Sequence, residues 1–138
     1  MIIIDATDLV LGRLATVTAK KALLGEEVAI VNAGKAIITG SKKQVLTHYR
    51  EHSEKGSMRK GPFFRRQPER FVKRAIRGML PYKQAKGRVA LDRIKCYRGI
   101  PKEFEGKSII SLENAHAKNL SIGFVTVNTI CKEMGGSL

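Results

Sequence analysis

Ile2-Ile3-Ile4 opens the chain as a short β-branched run, and Asp5-Ala6-Thr7-Asp8 then breaks the apolar pattern. Leu11, Leu14, Ala15, Thr18, Ala22 and Leu23 recur at helical spacing, with Lys20 and Lys21 in the last turn and Gly25 as a stop. Thr7 or Asp8 can cap that helix. Val28-Ala29-Ile30-Val31 supplies a second strand, so the opening reads as a βαβ unit whose right-handed crossover makes the strands parallel. Ala36-Ile37-Ile38-Thr39 predicts a third strand after the turn at residues 32–35. Ser41, with Gln44 three residues on, predicts a capped helix running to about Glu54.

The periodicity then stops. Residues 55–68, KGSMRKGPFFRRQP, predict an extended loop, in which Phe63 and Phe64 can either anchor in the core or stack on unpaired bases. Pro68 and Pro81 bound a helix over 68–80 with two unlike faces. Phe71, Val72, Ala75, Ile76, Met79 and Leu80 form its apolar stripe, and Arg70, Lys73, Arg74 and Arg77 lie opposite. Lys83 to Lys95 predicts a further helix despite Gly87. Ser108 to Leu112 predicts a fourth strand, and Thr126 caps a closing helix that ends at Gly135-Gly136. No repeat or linker interrupts the 138 residues, and the expectation is one α/β domain over 1–138.

Charge changes this picture from a fold to a partner. The chain carries +14, and all of it lies between residues 42 and 98, where 18 basic side chains face four acids; the remainder is balanced at eight against eight. A surface built only for solubility mixes both signs. Such density points to a polyanion, and the candidate phosphate-binding residues are Lys42, Lys43, Arg50, Lys55, Arg59, Lys60, Arg65, Arg66, Arg70, Lys73, Arg74, Arg77, Lys83, Lys86 and Arg88.

Enzymatic motifs are weak by comparison. Gly12 stands alone where a dinucleotide site needs several close-approach glycines, and Gly106-Lys107-Ser108 lacks the first glycine of a phosphate loop, position 101 being Pro. His48-Tyr49-Arg50-Glu51-His52 matches a zinc pattern in form, but the surrounding cations disfavour a metal and no third ligand is evident. No nucleophile elbow occurs, and no catalytic residue, cofactor or metal is expected. Cys96 and Cys131, outside any CxxC pair, read as small apolar residues. No apolar run is long enough for a membrane span, which suggests a soluble intracellular protein. An RNA-modifying enzyme and a DNA-binding architectural protein are the competing readings, because phosphate attraction alone does not separate RNA from DNA.

Three segments decide between them. Asp5 through Ala15 (DATDLVLGRLA), Val31-Asn32-Ala33 through Thr39-Gly40, and Arg77-Gly78-Met79-Leu80-Pro81 followed by Gly87-Arg88 and Tyr97-Arg98-Gly99 resemble the universal large-subunit ribosomal protein thirteen family, in its archaeal form. The likeness covers residues 3–99 and fades beyond. It implies a three-layer α/β/α domain with a four-stranded parallel sheet, binding to large-subunit ribosomal RNA beside neighbouring ribosomal proteins, a role in assembly, no membrane, and no catalysis.

Overall fold

Continuous apolar runs in two short strands, joined by a third with Ile94 buried, build the centre of the molecule. In the computed structural model, which describes residues 1–136, β1 (Ile2–Asp5), β2 (Val28–Val31) and β4 (Ile94–Cys96) form a parallel sheet in the order β1-β2-β4. The last two positions of the expected 1–138 domain lie outside the described residues. Ile2 pairs with Val28, and Val28 with Ile94, so one register runs across all three strands. The crossover helix α1 (Leu11–Leu23) buries Leu11, Leu14, Ala15, Thr18, Ala19 and Ala22, the face expected from its spacing except that Ala19 joins it and Leu23 is exposed.

Successive strand residues point to opposite faces. Ile4, Val28, Ile30 and Ile94 join the main core with α1, α3 (Pro68–Met79) and α5 (Val127–Glu133). Ile3, Ala29 and Val31 face the other way, where Phe104 and Tyr97 cover them. That second face therefore carries a single 3-10 turn (Lys102–Phe104) where a three-layer sandwich would place a helix.

The expected four-stranded parallel sheet needs correction in three places. β3 (Ile37–Thr39) leaves the parallel sheet and pairs antiparallel with β5 (Phe124–Thr126) in a separate two-stranded sheet. Its reversed partner lies just before α5, so Thr126 both ends a strand and caps a helix through its side-chain oxygen. Residues 108–112 add only one bridge, in which Ile110 bonds on both sides of Ile4 at the open edge of β1. The third parallel strand is Ile94–Cys96, overlapping the end of the expected 83–95 helix; α4 (Ala85–Asp92) stops short of it.

The first helix also starts differently. Neither Thr7 nor Asp8 caps it; Val10 occupies that position with no side-chain bond. The Asp5 carboxylate instead accepts from the Thr7 amide at 2.9 Å, the Thr7 hydroxyl at 2.7 Å and the Asn32 amide at 3.0 Å. α2 (Lys42–Glu54) begins as expected, with the Gln44 amide donating to Ser41 Oγ.

Candidate nucleic-acid interface

Helix α3 positions the densest set of cations. Pro68 at its start needs no hydrogen-bond partner for a missing N–H, and the following turn places Phe71, Val72 and Ile76 in the core. Leu80, just past the helix, is buried too, but Met79 is 45% exposed and Ala75 half-buried, so the apolar stripe is narrower than its spacing predicts. Arg70, Lys73, Arg74 and Arg77 emerge on the other side. With Phe63 and Arg65 they line a groove of about 530 Å³, which Pro62 and Leu91 complete. Among the described residues five cations and no acid line this groove, an arrangement suited to an anion that would relieve their mutual repulsion.

The five cations are not equivalent. Lys73 is half-buried, and its ammonium donates to the Ile94 carbonyl oxygen at 2.8 Å, which ties it to β4. The Arg77 guanidinium lies 5.1 Å from the centre of the Tyr82 ring, a cation–π placement that orients it while its edge stays available. Arg74 also borders an adjoining apolar hollow with His48, His52 and Phe71.

The loop from 55 to 67 forms the other wall. Ser57 and Gly61 exchange backbone hydrogen bonds at 3.1 and 2.9 Å, making a tight knuckle with Met58 at its tip. Gly56 has φ +93°, and a Cβ there would collide with the Gly61 carbonyl, so glycine is required for the chain to close. The two phenylalanines are placed differently, and only Phe64 takes the anchoring role. Phe64 packs edge-on against Tyr49 and Phe71, at centroid distances of 6.1 and 5.9 Å, whereas Phe63 is 64% exposed. Lys55 and Arg66 border a second hollow of about 470 Å³ beyond Phe63.

The other expected phosphate ligands are dispersed. Lys42, Lys43, Arg59, Lys60, Lys83, Lys86 and Arg88 are exposed, and none of them lines the α3 groove. Arg88 donates to the Lys83 carbonyl at 3.3 Å, and Arg50 lies 3.9 Å from the Glu133 carboxylate in an exposed ion pair. Arg93, outside the candidate set, is a structural tie that donates to the Ala22 carbonyl.

Chemistry other than phosphate binding finds little support in the geometry. The carboxyl end of β1, where open parallel sheets hold ligands, is filled by the Asp5, Thr7 and Asn32 hydrogen bonds. His48 and His52 stack with ring centres 6.4 Å apart, and among the described residues no group of three or more metal-ligating side chains converges. Burial pushes the thiol of Cys96 up to about 12 and that of Cys131 up to about 11, which keeps both protonated and unreactive. Among the described residues no helix is long and apolar enough to cross a membrane.

Comparison with known proteins establishes the family. The family model described as Ribosomal protein L13 matches residues 1–103. The large ribosomal subunit protein uL13 of Methanosarcina barkeri is 46% identical over 137 residues, covering 98% of both chains. Those of Methanococcoides burtonii and Thermoplasma volcanium are 44% and 41% identical over 136 residues, covering 98% and 99% of both chains respectively. These alignments with archaeal relatives run through the C-terminal third, where recognisable motifs fade. On a match spanning its βαβ core, its α3 cations and its glycine-bearing turns, the chain belongs to the Ribosomal protein L13 family.

Proposed function

We propose that this protein is a structural constituent of the large ribosomal subunit, which binds large-subunit ribosomal RNA through residues 42–98 and supports subunit assembly. It acts in the cytoplasm, as one domain, beside neighbouring ribosomal proteins, and it performs no catalysis. The observation that carries the reading is the α3 groove, where Arg65, Arg70, Lys73, Arg74 and Arg77 converge with no acid among the described residues. Such a surface holds the sugar-phosphate backbone and positions the protein without needing to read sequence.

Filter binding of the purified protein to large-subunit RNA over a range of salt concentrations tests this. Each phosphate neutralised contributes a slope of about −0.7 to −0.9 in log K against log salt. If the five groove cations are engaged, the slope is about −3.5 to −4.5 or steeper. A flat dependence, or micromolar binding of a nucleotide cofactor with no RNA affinity, contradicts the reading.

A further inference from the structure

Phe63 is the shared wall of two basic hollows. Arg65, Arg70, Arg74 and Arg77 border one side of it and Lys55 and Arg66 the other, with Glu54 the single acid in the two linings among the described residues. Arg65 lines the first hollow and its neighbour Arg66 the second. A polyanion occupying both hollows must therefore cross the ridge at Pro62 and Phe63.

The ridge is built to hold its shape. Phe64 anchors it in the aromatic cluster with Tyr49 and Phe71, and the Ser57–Gly61 bonds close the knuckle before it. The Phe63 ring rests against the Gly61 backbone, where a Cβ would lie 3.0 Å from its Cδ2. Phe63 as a whole is 64% exposed. A large apolar surface held in water between phosphate sites matches one chemical group above others: the face of an unpaired base. Bases in a duplex have no free face to offer.

We propose that a single-stranded stretch of RNA crosses this ridge with one base stacked on Phe63, its flanking phosphates held by Arg70, Arg74 and Arg77 on one side and by Lys55 and Arg66 on the other. This rests on the RNA-binding reading above and adds to it a preference for unpaired nucleotides at one point.

The chain contains no tryptophan, so Phe63→Trp introduces a single indole reporter at the ridge. The probes are a labelled oligoadenylate of about twelve nucleotides and an RNA duplex of equal length, with binding followed independently by anisotropy. The proposal predicts indole quenching by the single strand but not by the duplex. It also predicts that Phe63→Leu weakens single-strand binding at least about fivefold, with the salt slope and melting temperature unchanged. Normal binding without quenching, or wild-type single-strand affinity in Phe63→Leu, overturns the stacking proposal and leaves the RNA-binding reading intact. Failure of the unaltered protein to bind either probe or large-subunit RNA overturns both.

Discussion

Lys73 donates from its ammonium to the Ile94 carbonyl oxygen at 2.8 Å, joining the basic face of α3 to the outer edge of the parallel sheet. Among the described residues β4 has a strand neighbour only on its β2 side, where Arg93 accepts from Val28 and Tyr97 donates to Ile30. The Ile94 carbonyl between them therefore points to the open edge, and Lys73 satisfies it. Lys73→Met should cost about 1–2 kcal/mol of stability, the low part of the range for charge-assisted bonds because the residue is half-buried. Denaturant titration gives the stability, and filter binding should show a smaller loss of RNA affinity than for either groove arginine.

Arg74→Gln and Arg77→Gln should behave in the opposite way. Both keep helix propensity and leave the Phe71, Val72 and Ile76 packing untouched, so melting temperature should hardly move. RNA affinity should fall, and each variant should make the salt slope shallower by about 0.7–0.9. Ile76→Ala, at a fully buried site, should instead lose about 2–5 kcal/mol of stability and lose RNA binding only as it unfolds. Thermal melts paired with binding isotherms separate the two patterns.

Two glycines of the signature region should respond with opposite sign. At Gly78 a Cβ meets nothing within 4 Å, so Gly78→Ala should stabilise α3 by about 0.5–1 kcal/mol. At Gly87 a Cβ would collide with the Pro81 carbonyl oxygen, a backbone atom that cannot rotate away. Gly87→Ala should therefore cost about 1–3 kcal/mol or more through overpacking. Urea unfolding of both variants reads the difference directly.

These glycines also show where sequence reasoning reaches and where it stops. The βαβ opening was legible because Ile2–Ile4, Val28–Val31 and the α1 stripe each repeat a strand or helix period over enough residues to be distinctive. Ile94–Cys96 was not, since three residues with one fully buried side chain carry too little periodicity to separate them from the end of α4. Ile109-Ile110 misled in the other direction: β-branched residues there serve a single bridge at an edge, and both are exposed. The cationic face of α3 was visible from spacing, but spacing cannot show that Lys73 bends back to a carbonyl or that Arg50 lies beside Glu133. Nor could it divide Phe63 from Phe64, because adjacent residues differ only in which one the Tyr49–Phe71 cluster receives.

Asp5 supplies a pH-dependent contribution. Burial raises its carboxyl pKa, but hydrogen bonds from the Thr7 side chain and amide and from Asn32, with the charge of Lys35, outweigh burial and hold it below the ordinary value of 3.8. A depressed folded pKa means stability that is present above the unfolded value and lost as pH falls through the folded one. Asp5→Asn should thus be less stable than the unaltered protein at neutral pH, with the gap closing in acid below about pH 4. Unfolding titrations at a series of pH values check this, and a gap that widens in acid would contradict it.

The central claim is tested most directly by sedimenting a cell extract on sucrose gradients at moderate and at high salt and locating this chain by immunoblot. The account predicts that at moderate salt the protein travels with free large subunits and with intact ribosomes, is missing from free small subunits, and is displaced progressively as salt weakens its phosphate contacts. Recovery at the top of the gradient at both salt concentrations, or with small subunits alone, would contradict it.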